Sequence, residues 1–395
     1  MRIASICCSD DITDWDVLSL DSLMTYELAE AIIEDHHKLP GLVFPNKYMP
    51  FKFNRQLFNS LSSIYNGHSW LSPPSSTEAA YAEWLNSIGA VLELATGQKC
   101  SRVWDSSYCN TPLPSMGTKH KLDIKLLKKG SKPAWPTVCA VGLVTAEAGF
   151  PSHICNTIQQ KAFLTFATQP DQHFTTSLAF SKDYFQLITC DHAGLVNSAK
   201  ENLNDGALTL LQIIAGLMFG SDELIGYDQS MYQGPDGSIK TITVRQNEYT
   251  VIETIFSSET MRGHTTRCWR VWREQKDYVL KDSWCHHNQK SEAVILRKLA
   301  DVEGVPHLID LDDVRAHGQI NTTAVRQVGL LYKEERVHCC LVLEPVAELL
   351  YNFESKKELI QAFVDIVKSM FLSLLIVHMA MSLSFAISVY KILCK

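Results

Sequence analysis

The sequence has no surplus of positive charge and little proline or glycine. Its 36 lysine and arginine residues are outnumbered by 43 aspartate and glutamate residues, which gives a net charge of -7. A protein that binds DNA or RNA along the phosphates needs a basic surface, so we expect no nucleic-acid partner. With 19 glycines and 14 prolines in 395 residues, the chain is neither fibrous nor of low complexity.

The sequence also has no secretory signal pattern and no Cys-x-x-Cys motif. Four aspartates follow Arg2 within the first 16 residues, where a signal peptide would have an apolar stretch. The 12 cysteines include adjacent pairs at Cys7–Cys8 and Cys339–Cys340, a spacing that argues against a cysteine-based zinc site. We therefore expect an intracellular protein, cytoplasmic or nuclear, whose cysteines are reduced and mostly buried.

The chain has enough apolar material for buried cores, with 46% hydrophobic and 20% charged residues. At about 100–200 residues per domain, the length predicts about two or three domains. We place a mixed helical region at 1–115, a strand-rich α+β region at 116–235 and a further domain at 236–395.

Hydrophobic periodicity predicts the following elements. The helices are Ser22–Glu34, Ser76–Ala95, Ala207–Phe219 and Gln289–Ala300, with a long one opened by a capping box at Ser355–Glu358. The strands are Leu122–Leu127, Val138–Thr145, Phe174–Phe180, Tyr184–Thr189, Ile239–Val244, Tyr249–Phe256, Arg267–Arg273, Tyr278–Lys281 and Val337–Leu343.

The last third of the chain contains a strand, a loop with Gly263, two strands, a helix and further strands. The third strand carries Lys281, and the helix carries Glu292 on the face of Leu296 and Leu299. This order resembles a protein-kinase N-lobe, in which a strand lysine is held by a helix glutamate beside the ATP phosphates.

A more specific resemblance lies in Val279-Leu280-Lys281-Asp282-Ser283-Trp284, followed by Ser291-Glu292 and Gly304-Val305-Pro306. These stretches resemble the fungal-type protein kinases, a divergent branch of the kinase-like superfamily. Supporting stretches are Asp191-His192-Ala193-Gly194, Gly226-Tyr227-Asp228, Phe353-Glu354-Ser355 and Glu358-Leu359, so that the resemblance covers about residues 120–370.

The resemblance implies ATP binding and phosphoryl transfer to the serine and threonine hydroxyls of proteins. It implies an α+β fold, in which a mixed α/β N-terminal domain precedes the kinase-like N-lobe and an apolar helix follows it. The implied ATP-binding residues are Gly263 in the phosphate loop, Lys281, Glu292, and Glu344 and Val346 in the adenine-facing hinge.

Each of these residues also has a plainer interpretation. Gly263 fits equally well as a turn glycine. Lys281 could be an exposed residue of an edge strand, but Glu292, the Trp284 context and the order of elements favour the kinase-like position. Glu292 could instead pair with Arg297 or Lys298 on its own helix.

The chain departs from the kinase pattern in two ways. Its loop, Met261–Arg267, keeps one glycine where common kinases keep three, and His264 stands where this family usually has arginine. No His-Arg-Asp or Asp-Phe-Gly motif follows, and the last aspartate is Asp365. Those motifs supply the base and the magnesium ligands. We therefore expect a C-terminally truncated kinase without catalytic residues, with weak or no ATP binding and no magnesium site.

Two alternatives to a kinase remain open. The first is a non-enzymatic scaffold that uses the lobe to bind protein partners. The second is a tail-anchored membrane protein, because Ser369–Tyr390 holds 22 residues without Asp, Glu, Lys or Arg, and about 20 residues span a bilayer. In the kinase interpretation this segment is the apolar first helix of a C-lobe.

Other polar groups are interpreted as structural. Asp123 lies on one predicted strand and Glu147 at the end of the next, as in a magnesium-dependent nuclease, but Ala148-Gly149 replaces the lysine that such a site needs. The adjacent His286 and His287 are expected at the surface rather than on a metal. The simplest interpretation of three further aspartates is a solvated loop, and these are Asp310, Asp312 and Asp313.

Overall fold

The computed structural model describes residues 17–28, 31–114, 120–147, 150, 153–234, 237–258, 260–287, 292–325, 335–346 and 353–377. The fold is α+β, with two large β-sheets that follow one another along the chain. We call residues 17–230 the body and residues 231–346 the lobe.

The body is built on an eight-stranded sheet in the order β1-β7-β6-β5-β4-β3-β2, with β8 paired to β6. Its strands are β1 Ile32–Ile33, β2 Arg102–Asp105, β3 Ile124–Lys128, β4 Val138–Thr145, β5 Phe174–Ser181, β6 Tyr184–Asp191, β7 Gly194–Asn197 and β8 Glu201–Asn202. Its helices are α1 Val17–Leu28, α2 Leu39–Val43, α3 Arg55–Ser60, α4 Glu78–Thr96, α5 His153–Thr168 and α6 Ala207–Phe219.

Apolar side chains cover both faces of this sheet. One cluster joins α4 and α6 to the sheet, and a second joins α1 and α5 to the opposite face. The first cluster holds residues from both sides of position 115, where the sequence predicts a boundary. Helix α4 begins after Thr77, whose side chain accepts a hydrogen bond from the Ala80 N–H, and it ends at left-handed Gly97. The predicted helices at 76–95 and 207–219 are thereby confirmed.

Two parts of the body differ from the sequence prediction. The helix predicted at Ser22–Glu34 is wrong in its second half, since α1 ends at Leu28 and Ile32–Ile33 pairs with β7 as a parallel strand. Helix α5 was not predicted, although β4 and β5 run parallel and a parallel pair needs a crossover connection between its strands. Pairing between strands that are far apart in the sequence therefore determines the secondary structure of both segments.

The lobe is a seven-stranded sheet in the order β14-β17-β13-β12-β11-β10-β9, and its described residues include one α-helix, α7. The predicted order of strand, Gly263 loop, two strands, helix and strands is observed. The elements are β9 Met231–Gln233, β10 Ile239–Val244, β11 Asn247–Ser257, β12 Arg267–Arg273, β13 Lys276–His286, α7 Glu292–Lys298, β14 His307–Asp313, the hairpin β15 Arg315–Ala316 and β16 Gln319–Ile320, and β17 Arg336–Glu344.

The solvated loop expected at Asp310–Asp313 is wrong, because these residues belong to β14. Asp310 is buried and accepts a hydrogen bond from the Asn247 side chain at 2.7 Å. The Asp312 carboxylate accepts from the backbone N–H of Arg245 at 2.9 Å. Partners on the neighbouring hairpin therefore accommodate this run of carboxylates within a strand.

Helix α8, Lys356–Val377, follows the lobe. The predicted capping box forms in part, since the Glu358 N–H donates to the Ser355 side chain at 3.2 Å. Among the described residues, no helix combines the length and the apolarity needed to cross a membrane. The predicted apolar segment runs on to Tyr390, and its residues 378–390 lie outside the described part of the chain.

Candidate functional site

Lys281 and Glu292 form an ion pair between the middle of β13 and the first residue of α7. Lys281 Nζ lies 2.6 Å from Glu292 Oε2, and the two side chains are 18% and 22% exposed. On β13 the lysine stands between Cys268 of β12 and Leu341 of β17. The partner of Glu292 is therefore a strand lysine, not a basic residue of its own helix.

Burial and charge act in opposite directions on Lys281. Desolvation of the ammonium group is the largest single influence and lowers the pKa of Lys281, but the Glu292 carboxylate, Cys268 and Cys285 together raise it by more, so the pKa lies above its ordinary value. The lysine therefore stays charged at neutral pH. A fixed positive charge with partial solvent access can attract a phosphate.

The two predicted hinge residues lie at the end of β17. Val346 packs against the apolar cluster that joins α7 to the sheet, on the same side as Lys281. The Glu344 side chain instead forms an ion pair with Lys276. Val346 therefore lies on the Lys281 face of the sheet, whereas the Glu344 side chain is paired with a lysine of the neighbouring strand β13.

Gly263 lies in the loop between β11 and β12, which contacts the body. Its φ of +115° is one that favours glycine, and a Cβ at this position would meet no atom within 4 Å. The Gly263 N–H donates to the backbone oxygen of His192 at 3.0 Å. The group that a phosphate would need is therefore already hydrogen-bonded within the protein.

The rest of this loop is fixed to the body as well. Met261 is fully buried in the cluster around α1 and α5. The N–H groups of Met261 and Arg262 both donate to Glu27 Oε2, at 2.9 and 3.2 Å. Burial raises the pKa of Glu27, and these two backbone donors partly offset the rise. The predicted phosphate loop thus forms part of the contact between body and lobe.

The opposite face of β13 carries groups that sequence reasoning missed. Side chains alternate along a strand, so Asp282 and Trp284 point away from the Lys281 side and are buried. The Trp284 ring stacks on His338, with centroids 4.6 Å apart and planes at 3°, and lies 5.0 Å from His192. Arg267 enters the body and donates to the backbone oxygens of Phe166 and Pro170. We call this buried set of contacts the junction.

Several stretches that carry the family resemblance meet at the junction, although sequence pattern alone assigns their residues no individual roles. His192 accepts the Gly263 N–H, and Asp228 lies 3.2 Å from His173. Asp282 contacts His338 at 2.6 Å. The signal was present as short motifs in order, but only the fold shows that they converge.

The remaining predicted polar groups have structural contacts. Asp123 accepts a hydrogen bond from the Val144 N–H at 3.0 Å, and Glu147 is exposed. His286 and His287 lie at the end of β13, where His287 is exposed.

Within the described ranges, one set of three side chains could hold a metal ion, and it lies at the junction. The nine described cysteines are free thiols, five of them buried.

Comparison with known families identifies the same region of the chain. Residues 116–334 and 326–385 match the family model described as Fungal protein kinase, which together is about two thirds of the chain. No curated protein and no solved structure gives a significant match. The match begins inside the body and continues through the lobe, so it includes both sides of the junction.

Proposed function

The chain belongs to the fungal protein kinase family, and on that premise we propose that its lobe is the nucleotide half of a kinase site. The lobe contacts ATP weakly through Lys281, and these 395 residues alone transfer no phosphate. The observation that carries the proposal is the 2.6 Å ion pair between Lys281 and Glu292. Kinases use such a pair to hold a lysine against the nucleotide phosphates.

Weak binding follows from the state of the loop. A phosphate oxygen would have to replace the His192 carbonyl as acceptor of the Gly263 N–H. The loop has a single glycine at 258–266, so few of its backbone groups can approach a phosphate closely. We expect a dissociation constant on the order of 1 mM, which corresponds to about -4 kcal/mol.

The absence of transfer follows from the missing catalytic motifs. Positioning and metal ions supply most of the catalysis of phosphoryl transfer. The 395 residues contain neither the His-Arg-Asp loop nor the Asp-Phe-Gly motif that supply these groups. An intracellular site of action, cytoplasmic or nuclear, belongs to the same proposal, since ATP is an intracellular nucleotide.

Incubation with labelled ATP, magnesium or manganese, and generic protein substrates tests the proposal. We expect no incorporation above that of a Lys281→Met variant whose thermal unfolding shows that it is folded. Incorporation by the parent chain above this control would contradict the proposal.

A non-enzymatic protein-binding module is the second candidate, and one observation favours it. Helix α8 exposes Ile360, Phe363 and Val367 by 63%, 51% and 64%, and an exposed apolar face can mark a binding surface for a protein. The two candidates differ in their response to nucleotide. If millimolar ATP leaves the unfolding temperature of the chain unchanged, the module is favoured over the nucleotide half-site.

A further inference from the structure

Three ligand-type side chains meet at the junction between body and lobe. His173 and Asp228 come from the body and His338 from β17 of the lobe, with exposures of 4%, 3% and 2%. One donor atom of each lies within 4.8 Å of the others, and His173 Nε2 is 3.2 Å from Asp228 Oδ2. Donors around a tetrahedral zinc ion lie about 3.4 Å apart, because each is about 2.1 Å from the metal. Small side-chain rotations would therefore bring the set to that spacing.

The far side of each imidazole is held by a polar partner. His338 Nε2 lies 2.6 Å from Asp282 Oδ1, and His173 Nδ1 lies 2.8 Å from the Asn321 side-chain amide. A metal-binding histidine donates its other ring N–H to an acceptor such as a carboxylate, which fixes the tautomer and directs the remaining nitrogen at the ion, and Asp282 is such a partner for His338. The Asn321 side chain faces His173 with its amide nitrogen, so it would have to rotate and present its oxygen to act in the same way. Trp284, stacked on His338, restrains the second ring further.

The charges of the junction also suit a cation. Asp171, Asp228 and Asp282 are all buried there, together with the guanidinium of Arg267. A buried carboxylate that lies beside two imidazoles is a suitable metal ligand.

We propose that His173, Asp228 and His338 bind a divalent transition-metal ion of the zinc type that links the body to the lobe. Two imidazoles and a carboxylate are a common ligand set for such ions. A cavity of about 230 Å³ reaches His173 and Asn321 and is also lined by Tyr48, Glu223 and His317. The cavity therefore approaches the proposed site from the His173 side.

Metal analysis of the tag-free chain, grown with added zinc and dialysed, is the first test. We expect about one ion per chain, falling at least tenfold in Asp228→Asn and in His338→Gln. The matched control replaces the adjacent pair His286 and His287 by alanine, which should leave the metal content unchanged. Cobalt substitution should give the intense visible absorption of a tetrahedral site, independent of any kinase activity.

A second variant covers the case in which loss of a ligand prevents folding. Asp282→Asn keeps all three ligands and removes only the carboxylate behind His338. Its zinc affinity, measured by competition with a coloured chelator, should fall about 10–100-fold. Unchanged affinity in folded Asp282→Asn would overturn the proposal.

Other results would also overturn it. One is a folded parent chain that holds no metal and whose unfolding temperature does not respond to zinc. Another is metal content that survives Asp228→Asn but is lost with the His286 and His287 pair, which would mean adventitious binding at the surface. The cluster would then consist of ion pairs between histidine and aspartate.

Discussion

The two faces of strand β13 differ in what surrounds them. Lys281 points to the α7 side, where its ion pair with Glu292 is about one fifth exposed. Asp282 and Trp284 point to the body, where they are 3% and 2% exposed. Neighbouring residues of one short motif therefore have different surroundings. Lys281 is partly exposed beside α7, whereas Asp282 and Trp284 are buried between two parts of the fold. We expect the junction face to dominate stability and the Lys281 face to dominate nucleotide contact.

The largest expected effect comes from Trp284→Ala. Loss of a buried tryptophan that stacks on His338 leaves a large cavity, and we expect it to lower the free energy of unfolding by about 3–5 kcal/mol. Denaturant unfolding measures the change. Trp272→Ala on β12 is the control, since that side chain is 43% exposed and should matter far less. Equal losses in both variants would show that Trp284 in the junction contributes no more to stability than an exposed tryptophan.

A pH-dependent effect of intermediate size is expected at Asp171. Burial raises the pKa of Asp171 from 3.8 to about 6. The folded state binds the Asp171 proton more tightly than the unfolded chain does. The contribution of Asp171 to the free energy of unfolding is therefore complete below about pH 4 and is lost as the pH rises through about 6. Asp171→Asn removes this loss, so at pH 7 it should be more stable than the parent by up to about 3 kcal/mol.

Urea unfolding between pH 4 and pH 7 measures the Asp171 effect, with the exposed Asp205→Asn as control. The advantage of Asp171→Asn should grow with pH and vanish near pH 4. A constant difference across this range would show that the charge of Asp171 is not the cause.

A smaller effect is expected for Gly263→Ala. The φ of +115° strains any residue with a Cβ, although the space around it is open, so a loss of about 1–2 kcal/mol is expected. Gly41→Ala is the control, because Gly41 lies in α2 and a Cβ there also meets nothing within 4 Å. Thermal unfolding compares the two, and a loss no larger than that of the control would mean that the loop backbone is not constrained.

The smallest effect on stability is expected for Lys281→Met. The ion pair is partly solvated, and such pairs contribute on the order of 1 kcal/mol or less. Denaturant unfolding should place this variant close to the parent and far from Trp284→Ala. A loss as large as that of the tryptophan variant would contradict the division between the two faces of β13.

The hydrophobic pattern of the sequence predicted those helices and strands that are determined by the residues within the segment itself. Helix α6 matches its predicted bounds because its residues are apolar and good helix formers, and β4 matches because a run of buried residues ends at turn signals. The Lys281–Glu292 pair was accessible because a family motif marks both residues. Segments set by distant partners were missed, among them β1, which pairs with β7, and the crossover helix α5.

The junction could not be predicted for the same physical reason. His173, Asp228 and His338 lie far apart in sequence, and their approach depends on how the lobe sheet meets the body. The Gly263 loop was recognised as a turn or a phosphate loop, but its hydrogen bond to His192 is a long-range contact. Sequence pattern gives the side-chain types at such places and not their partners.

Calorimetric titration of the parent chain and of Lys281→Met with ATP, with and without magnesium, measures the nucleotide contact proposed for Lys281. We expect a dissociation constant on the order of 1 mM for the parent, no dependence on magnesium, and binding too weak to measure in the variant. Micromolar, magnesium-dependent binding by the parent chain, or equal binding by the variant, would contradict the proposal.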